Sequence, residues 1–394
     1  MKNLETLILE LCPDGVEFVK LGDCCSFKRG KTITAKNAIP GDVPVLAGGQ
    51  KPAYYHNEAN RTGETIVVAG SGAYAGFVSY WTVPVFLSDS FSVEPDDRLV
   101  VKFVYYFLKN IQQKIFATKK GSGVPHVHGS SIEKFEIPLP PIEVQTEIVR
   151  ILDKFTSLEA ELEAELDCRK RQYEYYRDKL FSFDNVGGQE VEWKKMSEVC
   201  EIKGRIGFRG YTRQDLVEEG KGAISLSPSN IVNGVLTFDN NTYISWEKYD
   251  ESPEIIAKIG NIVFTKTGST VGKTALITEL PQECTINPQL VLITCMGCNN
   301  AYLKHVMQNA SFQLKVRKFA GVGSVPNISQ KALASIEIPI PPVQEQERIA
   351  NILDRFESLT TSLQSGLPAE IAARRQQYEH YRDKLLTFKR KGAA

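Results

Sequence analysis

A 23-residue block occurs twice in this chain of 394 residues. Residues 136–158 read EIPLPPIEVQTEIVRILDKFTSL and residues 337–359 read EIPIPPVQEQERIANILDRFESL, with 13 of 23 positions identical at a constant offset of 201. Each copy is followed by a second matching block, YEYYRDKL at 173–180 and YEHYRDKL at 378–385. Shared helical composition does not produce identity at that level, so the chain is a tandem duplication and the repeated part is a helix.

The prolines set where that helix begins. Three of them cannot sit in a helix interior, so 137–140 and 338–341 are predicted to be extended, with Pro141 and Pro342 suited to a first helical turn. In the first copy Ile148, Ile151, Phe155, Leu158 and Leu162 follow at steps of three and four, the spacing of a coiled-coil seam. Leu166 adds a stutter, after which Tyr173, Tyr176 and Leu180 resume the pattern. The second copy runs through Ile349, Ile352, Phe356, Leu359, Leu363 and Leu367, then Tyr378, Tyr381 and Leu385. Its offset from the first grows by four residues around Ser365, Gly366, Leu367 and Pro368. Glycine suits a helix end and proline a restart, so a break is predicted there.

A helix of about 40 residues is about 60 Å long, more than one small globule accommodates. The two copies are therefore expected to pair as an antiparallel coiled coil, each carrying a globular domain at its start. The competing reading leaves each helix lying alone on its own domain.

Net charge is zero, with 47 Lys+Arg against 47 Asp+Glu, yet the charges are segregated. Residues 98–132 carry six basic residues and no acid, and 284–336 carry five and no acid, whereas 132–184 holds 8 basic against 13 acidic. Basic globular faces joined by an acidic spacer are the expectation. The eight cysteines form no framework: Cys24 and Cys25 are adjacent, Cys295 and Cys298 make one CxxC, and no second pair or histidine stands at zinc spacing. Scattered cysteines, no signal-peptide core and no apolar run of membrane length point to a cytoplasmic protein with no membrane partner.

Residues 1–15 give a short apolar helix ended by Pro13, Asp14 and Gly15. The segment 16–21 aligns with 191–196 at an offset of 175, so what precedes the first domain resembles what precedes the second. The duplication is cyclic in register, which places the N terminus near the end of the C-terminal helix. The first domain, 18–135, is expected to hold strands at 65–69 and 83–87 and a helix at 100–116. The second, 193–336, repeats the scheme with strands at 261–265 and 290–293 and a helix at 300–316. GAYAG at 72–76 faces GSTVG at 268–272, and Val124-Pro125-His126-Val127 faces Val325-Pro326-Asn327-Ile328. One scaffold with different side chains is what two readers of different targets would show.

Catalytic motifs fail on inspection. GSTVGKT at 268–274 resembles a phosphate-binding loop, but Thr267 stands where its first glycine should be. A base methyltransferase motif is missing, the nearest match being Asn287-Pro288-Gln289, and no dinucleotide fingerprint follows a strand. Glu-x-Lys at 192–194 and 201–203 is ordinary in so charged a chain, and no histidine pairs with a nucleophile. What remains is nucleic-acid binding. Lys119, Lys120, Ser122, His126 and His128 flank a loop after one basic helix, as Arg317, Lys318, Ser324 and Asn327 do after the other. Lys28, Arg29, Lys31, Lys203, Arg205 and the turn residues Ser269, Thr270 and Lys273 complete the candidates. Cations there would neutralise phosphates while polar loop side chains read base edges.

The doubled EIPLPPIEVQTEIVRILDKF and YEYYRDKL blocks, each preceded by a variable domain, closely resemble the specificity (S) subunit of type I restriction–modification systems. The resemblance covers essentially the whole chain. It implies a mixed α/β (α+β) architecture with two target recognition domains, 16–136 and 185–337. Two spacer helices, 137–184 and 338–390, would form the antiparallel coiled coil, with the helix at 1–15 beside the second and a tail at 391–394. It further implies a non-catalytic reader of double-stranded DNA that binds no cofactor and reads an asymmetric bipartite site. Its helices would recruit two methylation subunits carrying S-adenosylmethionine, and a complete complex adds two restriction subunits using ATP and Mg. A coiled-coil scaffold for protein partners, and the specificity chain of a fused nuclease–methyltransferase, are the alternatives.

Overall fold

The computed structural model describes residues 4–121, 123–181, 183, 191–205, 212–321, 325–361 and 366–392. The doubled proline block makes the same local structure twice. Strand Glu136–Leu139 pairs antiparallel with Glu17–Lys20, Phe18 opposite Pro138 and Val19 opposite Ile137. Strand Glu337–Ile340 pairs likewise with Glu192–Lys195, Trp193 opposite Pro339. Both are two-stranded ribbons, in which a proline forfeits no interior ladder bond. A helix follows at once: Val144 and Gln145 N–H donate to Pro141 O at 3.0 and 3.1 Å, and Glu345 and Gln346 N–H to Pro342 O at 2.9 and 3.0 Å.

One glutamine per copy then ties helix to domain. Gln145 Oε1 accepts from Val100 N–H at 2.8 Å while its Nε2 donates to Pro140 O at 2.8 Å and Arg98 O at 2.9 Å. Gln346, the same position of the repeat, accepts from Asn299 N–H at 2.8 Å and donates to Pro341 O at 2.8 Å. Both are buried with their polar atoms satisfied, which is how a buried amide is tolerated.

The chain divides into two compact units, residues 1–162 with 371–394, and residues 163–370. The first long helix, Ile142–Leu180, is continuous, and its residues up to 162 belong to the first unit. The second is two helices, Val343–Thr361 and Gly366–Leu385, broken where glycine and proline predicted it; Leu363 and Ser365 lie outside the described residues. Gly366 has φ +79°, and a Cβ there would stand 2.8 Å from Ser358 O and 2.7 Å from Leu359 O, so only glycine fits.

In the first unit an antiparallel four-stranded sheet runs Cys25–Arg29, Ser90–Pro95, Thr65–Ala69, Val78–Trp81. Beside it lies a three-stranded sheet, Tyr54–His56, Val43–Leu46, Phe86–Leu87, the last pair parallel. Helices Val101–Asn110 and Gln112–Phe116 cover the first sheet through Phe103, Tyr106 and Ile115, which are fully buried. Val144, Ile148 and Leu152 of the long helix enter this core, as do Leu4 of the N-terminal helix Leu4–Leu11 and Leu386. Val16 bridges Arg390, its N–H donating to Lys389 O at 2.8 Å, so the N-terminal segment pairs with the chain just past the C-terminal helix. Phe155 stacks on Tyr381 with ring centroids 5.4 Å apart, and Arg375 Nε reaches Glu159 Oε1 at 2.5 Å. Partner numbers fall as helix numbers rise, so the two helical segments of this unit run antiparallel.

The second unit repeats the four-stranded sheet with Cys200–Lys203, Leu290–Cys295, Ile262–Thr265, Thr274–Leu276. Its other sheet has four strands, Leu216–Val217, Tyr243–Ser245, Gly222–Leu226, Cys284–Ile286, again ending on a parallel pair. Helices Asn300–Gln308 and Ala310–Ala320 cover the first, and Ile349 and Leu353 join the core. Phe356 stacks on Tyr176 at 5.7 Å and lies 6.5 Å from Tyr173, the counterpart of Phe155 against Tyr381 and Tyr378.

The seam residues divide between two tasks. Ile148 and Ile349 are fully buried in the domain cores, and Ile151, Leu180 and Leu385 pack at the core edges. Leu158, Leu162 and Ile352 are half-buried, while Tyr176, Leu359 and Tyr381 keep 37–39 % exposure. Other expectations require correction. The strand expected at 83–87 shrinks to Phe86–Leu87, with Val85 in a lone bridge to Arg61, because Pro84 has no N–H to give a ladder. The helix expected at 100–116 is interrupted at Ile111, which leaves Gln112 free to turn toward residues 76 and 78. The one expected at 300–316 is interrupted at Asn309, whose side chain accepts from Ser311 N–H at 2.9 Å and caps the following helix.

Candidate nucleic-acid interface

In each unit the glycine turn and the loop after the basic helices are joined by the same backbone bonds. In the first, Gly72 N–H donates to Pro125 O at 2.9 Å, Val127 N–H to Gly70 O at 2.9 Å, and Ser71 bridges His126. In the second, Gly268 N–H donates to Pro326 O at 2.9 Å, Ile328 N–H to Lys266 O at 2.9 Å, and Thr267 bridges Asn327. The turns close alike, Gly76 N–H on Ala69 O at 2.7 Å and Gly272 N–H on Thr265 O at 3.0 Å. Gly76 and Gly272 have φ +86° and +98°, and a Cβ on Gly272 would meet Gln313 Oε1 at 2.2 Å. That glutamine and its counterpart hold the turns, Gln112 Nε2 donating to Gly76 O at 2.6 Å and Gln313 Nε2 to Gly272 O at 2.9 Å. Sequence inspection passed over both glutamines, although the constant offset of 201 connects them.

On this frame Lys119, half-buried, donates from Nζ to Ala73 O at 3.2 Å, and Lys120 is exposed. The His126 and His128 rings are stacked with centroids 6.3 Å apart. Ser71 bonds Asp89, and Arg29 stands 3.9 Å from the same carboxylate. Lys31 is exposed. In the second unit Ser269, Lys273, Arg317, Lys318 and Asn327 are exposed and Thr270 half-buried; Thr267 Oγ1 donates to Asn327 Oδ1 at 2.7 Å and Lys273 Nζ to Ile231 O at 3.0 Å. Ser122 and Ser324 lie outside the described residues.

Three candidates are committed elsewhere. Arg205 is 3 % exposed, and its guanidinium donates to Ile286 O and Thr285 Oγ1 at 3.3 Å and to Ser252 Oγ at 3.5 Å. It is an internal brace of the second sheet and is corrected from DNA contact to structural residue. Lys28 is paired with Glu94, whose carboxyl is pushed up by burial but held below its usual range by Lys28, Ser92 and Arg61. Lys203 Nζ lies 3.0 Å from Glu201.

Among the described residues one group has the donors to hold a cation, His305, Asp354 and Glu357. The Lys304 ammonium already stands there, 3.1 Å from Asp354 and 2.5 Å from Glu357, and makes this an internal ion cluster. No described helix is long and apolar enough to cross a membrane.

Two homologous units, each an α/β module with basic residues beside its turn and loop and a segment of long helix in its core, define a duplicated two-domain class of protein. The family model described as type I restriction modification DNA specificity domain matches twice, over residues 13–167 and 189–373. The Type I restriction enzyme EcoR124I/EcoR124II specificity subunit of Escherichia coli is 31 % identical over 407 residues, covering 98 % of both chains. The Type I restriction enzyme MjaVIII specificity subunit of Methanocaldococcus jannaschii is 21 % identical, covering 88 % of this chain and 87 % of the relative. The crystal structure of a type I restriction–modification S subunit from M. genitalium shares the fold, with TM-score 0.62, 17 % identity, and 94 % and 96 % of the two chains covered. This chain belongs to the specificity subunits of type I restriction–modification systems.

Proposed function

We propose that this chain is the non-catalytic DNA reader of its complex. Each unit reads one half of an asymmetric, interrupted duplex site, and the long helices recruit methylation subunits that carry S-adenosylmethionine and modify adenine, with ATP-dependent restriction subunits joining the complete complex. One observation carries this reading: the backbone bonds that join the glycine turn to its loop recur in two units whose surrounding chain differs. A repeated frame set in differing surroundings is suited to two dissimilar half-sites. Joining two modest binders in one chain raises the effective concentration at the second half-site once the first is held.

The test is a host methylome read with and without the gene. Deletion is expected to abolish adenine methylation at one interrupted asymmetric motif, and exchanging residues 18–135 for those of another specificity subunit to alter one half of it. Unchanged methylation on deletion, with the partner subunits expressed, would refute the reading.

A further inference from the structure

The duplication supplies an internal control, because what is the same in two readers of different sequences cannot encode the difference. The backbone bonds that join the glycine turn to its loop are the same, and two of the polar side chains beside them are already paired, Thr267 with Asn327 and Ser71 with Asp89. What differs is the chain between the first and third strands of the four-stranded sheet, 30–64 in one unit and 204–261 in the other. Both stretches supply all but one strand of the second sheet, but the connection leaving its parallel-paired strand is unlike in the two. After Val43–Leu46 it is a short glycine-rich loop reaching Tyr54. After Gly222–Leu226 it is a longer excursion with a hairpin, Ile231–Val232 paired to Val235–Leu236, before Tyr243.

Each variable connection runs beside the repeated turn. A Cβ on Gly48 would lie 2.2 Å from Ser71 O, so residues 48 and 71 are in backbone contact. In the second unit Lys273 of the turn bonds Ile231 O at 3.0 Å, and Asn233 lines one groove of ≈ 860 Å³ with Ser269 and Thr270 on one side and Lys170, Glu174 and Glu357 of the long helices on the other. The variable connection is therefore within reach of whatever the turn holds. Gln50, Lys51 and Asn233 are exposed there and make no hydrogen bond or ion pair among the described residues. Gln and Asn match the adenine edge and Lys the guanine edge in the major groove. Asn233, at φ +51°, sits at the Asn-Gly tip of its hairpin, which holds the amide out from the sheet.

We propose that base discrimination resides in these connections, through Gln50 and Lys51 in the first unit and Asn233 in the second, while the repeated turn and loop bind phosphates without regard to sequence. The inference rests on the reading given under Proposed function. Its test is the methylome of a deletion host complemented with full-length variants whose thermal midpoints match the wild type. Q50A/K51A is expected to relax the motif at one or two positions of one half, discrimination there falling about ten- to hundredfold, and N233A to do so in the other half. Ala73→Ser with Tyr74→Thr, which gives the first turn the corresponding residues of the second, is expected to leave the motif unchanged. A motif altered by the turn exchange, or unaltered by Q50A/K51A and N233A, overturns the inference while the parent reading stands. A wild-type chain that specifies no motif overturns both.

Discussion

His305 has no exposed surface; its Nε2 stands 2.7 Å from Asp354 Oδ1 and its Nδ1 3.3 Å from the Tyr173 hydroxyl. Burial dominates and holds the ring below its ordinary value of 6.5, although the Asp354 hydrogen bond opposes the shift. Asp354 is pushed up by burial, yet the His305 bond and the Lys304 charge bring it below its usual range. Both groups bind a proton less readily folded than unfolded, so their contribution to stability is present at neutral pH and lost on acidification. The histidine part begins to fail as pH drops below about 6.5, with a slope of at most about 1.4 kcal/mol per pH unit for one proton. The thermal midpoint of the full chain is expected to fall from pH 7.5 to 5.5, and His305→Asn to flatten that decline. An equally steep decline in the variant would exclude this residue as the cause. In the first unit Asp153 meets Lys102 Nζ at 2.8 Å and the Tyr106 hydroxyl at 2.5 Å, so that joint contains no histidine.

At the scale of elements, Gly366 is where the second long helix departs from the first. With φ +79° and two carbonyl oxygens within 3 Å of any added Cβ, Gly366→Ala is expected to destabilise the chain by more than about 1 kcal/mol, measured from the urea midpoint. Gly220 is the control, since it has the same φ but nothing within 4 Å, and its alanine variant should lose less. This break, the proline-led strands and the cyclic register were all legible in the sequence. Each is dictated by a local backbone rule or by identity between copies. The second sheets were not legible, because strands as short as Leu216–Val217 and Phe86–Leu87 have no periodicity of their own and exist only by pairing with distant chain. Interruptions at Ile111 and Asn309 were missed for a related reason: apolar spacing continues across both, and only the tertiary partners of Gln112 and Asn309 require the breaks. Arg205 looked like a free cation, since nothing adjacent in sequence reveals the carbonyl and hydroxyls that bury it.

For the whole molecule, a net charge of zero conceals the property that matters for a duplex partner, because residues 98–132 and 284–336 carry basic residues and no acid while the first spacer helix is acidic. Screening removes interactions between distant exposed charges, so phosphate binding depends on cations within reach and unspent. By that criterion Lys120, Arg317 and Lys318 qualify, while Lys119, bonded to Ala73 O, and Lys28, held by Glu94, do not. Affinity for a duplex carrying the recognised site is therefore expected to fall steeply with salt. Lys120→Ala and Arg317→Ala/Lys318→Ala should each make the log–log slope shallower by about 0.9 per phosphate contact removed, while Lys28→Ala changes it by less. Because these contacts carry no sequence information, affinity for unrelated duplexes should weaken by a similar factor. A chain that instead used its two domains to hold protein partners would bind duplex DNA weakly and with slopes indifferent to these substitutions, and a titration across 50 to 200 mM salt separates the two.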